Sequence, residues 1–197
     1  HPAQGGETLH ALDERTYTLE PGMIAISDDA GVQSLGGIMG GEATGVTEET
    51  TDVFLEAAFF DPVRTAHTGR ALKINSDARY RFERGIDPEW TPHGIEHATR
   101  MILDIAGGEA SEVVVAGEIP DHSRAYRLDT ERCSSLVGMD IPAETQHATL
   151  TALGFGMEGD MAHVPSWRPD VMGGADLVEE VARIASLTKL EGRPMPR

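Results

Sequence analysis

Apolar positions along the chain fall into two blocks separated by a polar stretch. In the first block, Met23 to Ser27 is a short apolar run stopped by Asp28-Asp29 and Gly31, which predicts a strand and a turn. A glycine-rich stretch follows, Leu35-Gly36-Gly37-Ile38-Met39-Gly40-Gly41, and Val53 to Phe60 then predicts a buried strand. Asp61-Pro62 predicts a helix opening near Val63, because proline suits the first helical turn. Arg79 to Phe82 alternates basic and aromatic residues at period two, the spacing of a strand. Ile95, Ala98, Ile102 and Ile105 mark one helix face, closed by Gly107-Gly108. Val113-Val114-Val115 predicts a further strand.

Gly117 to Ser123 is polar and contains Pro120-Asp121, a natural boundary. The second block runs from Ala125 to about Leu187. It predicts a strand at Tyr126–Leu128, a short helix near Thr130–Val137, and a helix opened by Pro142 and closed by Gly154. A hairpin around Gly156–Val164 comes next, then a helix from about Ala175. In that helix Leu177, Val178, Val181, Ile184 and Ala185 fall on one face. The pattern predicts an α+β chain in two parts: residues 1–118, a linker at 119–123, and a smaller helix-rich module at 124–197.

The length of 197 residues, 40% of them hydrophobic, permits one large domain or two small ones with cores of their own. No stretch approaches the roughly 20 apolar residues that span a bilayer, and no secretory leader is visible. Cys133 is the single cysteine, which excludes an intramolecular disulfide and predicts a reducing cytoplasm. As a thiol it is expected to be a small, half-buried hydrophobe. Sixteen basic and 33 acidic residues give a formal net charge of −17. Such a surface repels phosphate backbones at long range and argues against general nucleic-acid binding, though it leaves room for a local basic patch. The opening His1-Pro2 and the closing Pro194-Met195-Pro196-Arg197 are expected to be cuts within a longer chain.

Four constellations could carry chemistry. Asp176, Glu179 and Glu180 share one helix face turned away from the apolar stripe, and Asp170 precedes them across Gly173-Gly174. Clustered carboxylates are hard oxygen ligands suited to Mg²⁺; acidic residues in a first helical turn also complement the macrodipole without any metal. Glu56 lies inside an apolar run, where a carboxylate must be exposed, paired or used as an acceptor. Arg79, Arg81 and Arg84 could meet RNA phosphates or form a solvated strand face. His93 and His97, four apart on a helix, could be a metal pair or ordinary helix residues. The glycine stretch lacks the Gly-Lys-Ser/Thr ending of a phosphate loop and is read as a turn or a close backbone approach.

Five ordered motifs resemble one family. Gly36-Gly37-Ile38-Met39-Gly40-Gly41-Glu42, Phe54-Leu55-Glu56-Ala57-Ala58-Phe59-Phe60 and Ser76-Asp77-Ala78-Arg79-Tyr80-Arg81-Phe82-Glu83-Arg84-Gly85 resemble the B3/B4 editing domain of bacterial phenylalanyl-tRNA synthetase β subunits. Pro165-Ser166-Trp167-Arg168-Pro169-Asp170 and Asp176-Leu177-Val178-Glu179-Glu180-Val181-Ala182-Arg183-Ile184 resemble the end of its winged-helix-like B5 domain. The resemblance implies an α₂β₂ enzyme that uses ATP and Mg²⁺ to attach phenylalanine to tRNA(Phe), the synthetic site lying in the α subunit. It implies that the B3/B4 domain hydrolyses mischarged tyrosyl-tRNA. Glu56 then matches the acceptor of the tyrosine hydroxyl, with Ser76, Ala78, Gly37 and Gly40 lining the same pocket. Asp170, Asp176, Glu179 and Glu180 match a Mg²⁺ position shared with the α subunit. The family's editing domain begins well upstream, so the isolated chain is not expected to be active. Where the family continues Ile-Tyr-Gly-Tyr, this chain has Ile184-Ala185-Ser186-Leu187. A non-catalytic amino-acid or RNA-binding module and a Mg²⁺-dependent hydrolase are the competing classes.

Overall fold

A computed structural model describes residues 1–190 and 192; the closing Pro194–Arg197 of the sequence reading lies outside them. The chain divides into two compact units, His1–Ile119 and Pro120–Arg197.

Unit 1 opens on short antiparallel strands. β1 (Thr8–His10) pairs with β2 (Thr16–Thr18), placing Leu9 opposite Tyr17. Both residues point inward while their neighbours face solvent, the period-two alternation of a half-buried hairpin. β3 (Ala25–Asp28), β4 (Gly31–Leu35) and β5 (Met39–Gly40) form a second antiparallel sheet in that order. A Cβ on Gly41 would lie 2.6 Å from the Gln33 carbonyl oxygen, so only glycine admits this approach of the two backbones. Leu9, Leu19, Ala25, Leu35, Ile38 and Ile74 fill the core between the two sheets.

Three helices follow. α1 (Pro62–Ala71) starts as its proline predicts, and the Asp61 carboxylate accepts the Arg64 amide at 2.7 Å. α2 covers Asp77–Phe82 and α3 covers Thr91–Ala106. Two expected strands, the first of them expected to be buried, are absent from the described residues. Val53 to Phe60 is irregular, with Phe54 94% exposed. Val113 to Val115 is likewise irregular, with Val114 88% exposed. Apolar, β-branched residues favour a strand, but a strand also needs an edge to take its N–H and C=O groups. Neither run pairs with a strand among the described residues.

The strand expected at Arg79 to Phe82 is helix α2. Four residues at period two are too few to distinguish a strand from a helical turn. The Ser76 cap decides for the helix, and an Arg79–Glu83 pair at 2.9 Å supports it at i,i+4 spacing.

Unit 2 follows its pattern closely. β6 (Ala125–Arg127) pairs with β8 (Met161–His163), which also pairs with β7 (Gly156–Glu158), giving the order β6-β8-β7. Gly159, at φ 57°, turns the β7–β8 hairpin. Cys133–Val137 is a single wide π-type turn, α4 is Ala143–Ala152, and α5 is Gly174–Ala185. Leu128, Cys133, Leu150, Phe155, Val171, Leu177, Val178 and Val181 form one core. Cys133 is fully buried rather than half-buried, and its Sγ donates to Gln146 Oε1 at 3.2 Å. Gln146 Nε2 in turn donates to the carbonyls of Thr130 and Ile141 at 2.9 and 2.8 Å, so the buried amide is fully used.

Candidate functional site

Three stretches distant in sequence meet at the start of α2. Ser76 Oγ donates to the Ile38 carbonyl at 2.6 Å and accepts the Arg79 amide at 3.1 Å. One hydroxyl thus caps the helix and ties it to the glycine run. Gly37 adopts φ 69°, and a Cβ there would lie 2.9 Å from Phe60 and 3.0 Å from Phe82. The Phe60 and Phe82 rings stand 5.2 Å apart, tilted by 57°. The glycine run, the end of the Phe54–Phe60 segment and α2 therefore close on one another.

Phe82 also borders a cavity of about 230 Å³ lined with Ala57, Ala58, Ile86, Trp90 and Thr91. The pattern gave no sign of Thr91: its Oγ1 is buried and has no hydrogen-bond partner among the described residues. Glu56 immediately precedes the cavity wall. Glu56 itself is exposed, and its carboxyl makes no hydrogen bond with the described residues; partial desolvation by its neighbours pushes it above the usual carboxylate range. The other expected pocket residues are spread more widely. Ala78 is exposed on α2. Gly40 lies in β5, where a Cβ would meet Leu12 at 3.2 Å.

The arginines differ from the expected solvated strand face. Arg79 donates to the Ile74 carbonyl at 2.6 Å as well as to Glu83, and a Cβ on Gly69 would collide with its side chain. The Arg84 guanidinium sits 3.7 Å over the Tyr80 ring and donates to the Tyr80 carbonyl. Arg81 is exposed. His93 and His97 pack on Trp90, with ring centroids 5.2 and 5.9 Å away. No group of three or more His, Cys, Asp or Glu among the described residues is arranged to hold a metal ion.

In unit 2 the acidic quartet is drawn into a chain of arginines. Arg168 grips Asp170 with two parallel bonds, Nε at 2.9 Å and Nη2 at 2.6 Å, and reaches Glu180 through Nη1 at 2.6 Å. Arg183 holds the same Glu180 oxygen at 2.6 Å. Asp176 accepts the Met172 amide at 2.8 Å, and Glu179 is exposed. Glu180 is only 6% exposed, which corrects its expected place on the outward face. At about 100° per residue it lies at the edge of the apolar stripe, roughly 60° from Leu177, and the two arginines draw it inward. Ile184, expected within the stripe, is instead 51% exposed near the helix end.

Burial pushes the Glu180 carboxyl up, but its bonds to Arg183 and Arg168 outweigh this and leave it below the usual range. The fork from Arg168 lowers Asp170 in the same way, and these bonds to Asp170 and Glu180 raise Arg168. The four carboxylates have the hard-oxygen chemistry of a Mg²⁺ site. As folded they do not fit one, because a guanidinium already stands between Asp170 and Glu180. The spacing Arg168-Pro169-Asp170 and the i,i+3 pair Glu180–Arg183 were the available signals for this network. Arg124 carried none, yet it donates to the carbonyls of Arg168, Pro169 and Val171 and pins the loop that bears Asp170.

The B3/4 domain family model matches residues 1–107, and the tRNA synthetase B5 domain model matches residues 126–186. A phenylalanine–tRNA ligase beta subunit from Ruegeria pomeroyi is 72% identical over 197 residues, 100% of this chain and 25% of the relative. One from Cereibacter sphaeroides is 67% identical over 100% of this chain and 24% of its own length. One from Paramagnetospirillum magneticum is 50% identical over 99% of this chain and 25% of its own length. The chain thus spans about a quarter of the curated relatives it matches. No helix among the described residues is long and apolar enough to cross a membrane. With both family models in chain order and this identity throughout, the chain belongs to the B3/4 domain family and continues into a tRNA synthetase B5 domain.

Proposed function

We propose that the chain is a segment of the β subunit of a phenylalanine–tRNA ligase and contributes part of a pocket that hydrolyses tyrosine wrongly attached to tRNA(Phe). The observation that carries this reading is a carboxyl left without a partner. Glu56 precedes an apolar cavity wall and makes no hydrogen bond with the described residues, so its oxygens are available to an outside donor. A phenol hydroxyl is the one group tyrosine has and phenylalanine lacks. An apolar synthetic pocket rejects an added hydroxyl only about a hundredfold, so a second site that bonds this hydroxyl adds real discrimination. Gly37 and Ser76 shape the junction that the end of this segment joins through Phe60, and Gly40 and Ala78, which lie outside that junction, are assigned to the pocket by the family resemblance alone.

The ligase as a whole takes an α subunit as its partner in an α₂β₂ assembly. It uses ATP and Mg²⁺ and works in the cytoplasm. The B5 unit is the surface proposed to face the α subunit through Asp170, Asp176, Glu179 and Glu180. Of the three arginines proposed to meet RNA, Arg81 is exposed and its side chain makes no hydrogen bond or ion pair with the described residues, while Arg79 and Arg84 would act through the fold of α2.

The test uses the complete β subunit assembled with its α subunit. A bond to a charged acceptor contributes about 1.5–3 kcal/mol, or roughly ten- to 150-fold. Glu56→Ala should slow deacylation of pre-charged tyrosyl-tRNA by about that factor and leave phenylalanylation unchanged. Equal deacylation rates in the two enzymes would rule the reading out.

A further inference from the structure

The acidic corner of unit 2 disagrees with the metal expected there, and the disagreement has a structural cause. We propose that Arg168 is a tethered counter-ion standing where a divalent cation would stand, so that the closed Arg168 fork and a bound cation exclude one another. This rests on assigning the quartet to a metal position of the ligase.

The two oxygens of Asp170 both accept from Arg168, at 2.9 and 2.6 Å, and the same guanidinium reaches Glu180 at 2.6 Å. A planar guanidinium matches a carboxylate at two points and keeps its charge at any working pH. A cation approaching Asp170 therefore meets a positive charge already bonded to both oxygens it needs. Two features make the fork a separable device. Arg183 holds Glu180 independently at 2.6 Å, so release of Arg168 does not leave that buried carboxylate without a partner. Arg124 pins the backbone of residues 168–171 through three carbonyls, so Asp170 keeps its place while the Arg168 side chain, 20% exposed, turns outward. The opening is a change of side-chain torsions on a fixed loop.

The probe is Mn²⁺ alone, titrated into the 197-residue chain and followed by the electron-spin resonance of the free ion. Removing the fixed charge restores the oxygen donors, so Arg168→Gln should bind Mn²⁺ about tenfold or more tightly than the unaltered chain. Arg168→Lys keeps the charge and loses the fork, and its affinity should fall between the two. Circular dichroism reports whether each variant is folded; should Arg168→Gln not fold, a several-fold gain in Arg168→Lys carries the same meaning. Equal affinity in all folded chains, or weaker binding in the variants, overturns the inference. Such a failure leaves the editing reading intact, since deacylation by the Glu56 variant decides that separately.

Discussion

Helices α3 and α5 carry the same kind of message in sequence and have opposite fates. Each sets apolar residues along one face at helical spacing, and each forms a helix close to its expected bounds. In α5, Leu177, Val178, Val181 and Ala182 are buried within the unit 2 core. In α3 no residue is buried, Met101 is 63% exposed and Ile105 80% exposed. The difference lies outside both helices. α5 has Leu128, Phe155 and Val171 to pack against, whereas the stripe of α3 has no comparable core among the described residues. Periodicity specifies a helix and its apolar face; only a facing surface turns that face into stability.

The comparison can be broken most directly at Leu177. Truncating this fully buried side chain should destabilise unit 2 by about 2–5 kcal/mol, the usual range for Leu→Ala in a packed core. Chemical unfolding followed by Trp167 fluorescence in a Trp90→Phe background would measure it, and a loss below about 1 kcal/mol would mean the core is looser than its burial implies. Gln146→Leu should come next. It removes the donor to two carbonyls and the acceptor for Cys133, and a buried polar group left unpaired costs about 1–3 kcal/mol. The same unfolding experiment reads it, and a stabilised variant would show that the Thr130 and Ile141 carbonyls find other donors. In unit 1, Asp61→Ala should cost about 1 kcal/mol by removing the cap of α1. Amide exchange at Arg64 is the sensitive readout, and unchanged protection would mean the cap is redundant with Pro62. The smallest effect belongs to α3. Ile105→Ser should alter the stability of this chain by no more than about 0.5 kcal/mol, as exposed positions do. A large loss there would mean that α3 is covered in solution.

Local signals announced the helices well. Pro62 at the first turn of α1, Gly107 after α3 and the apolar spacing of α5 are codes that act within a few residues, because caps and φ preferences are local physics. The hairpin β7–β8 was legible for the same reason. The three mistaken strands show the limit. Arg79 to Phe82 turned on Ser76, whose hydroxyl caps the helix by accepting the Arg79 amide, a local signal masked by the period-two alternation. The bond of that hydroxyl to the Ile38 carbonyl, 38 residues away, was not legible in the sequence. Val53 to Phe60 and Val113 to Val115 have strand-forming side chains, but pairing needs an edge supplied by another part of a fold. The candidate site divides along the same line. Glu56 stood out because a carboxylate in an apolar run is rare, whereas Thr91 and Arg124 became visible only with their surroundings.

The acidic quartet marks the boundary most clearly. By itself the sequence determined that Asp176, Glu179 and Glu180 would lie within one helical sector, with Asp170 close before them, since 100° per residue leaves no other choice. Only the tertiary structure decided that Glu180 turns inward and that Arg168 grips Asp170 and Glu180 at once. The physical reason is that a carboxylate at the edge of a buried stripe is held wherever the nearest guanidinium can reach it. That reach depends on how the loop before α5 is pinned by Arg124, more than 40 residues away in sequence.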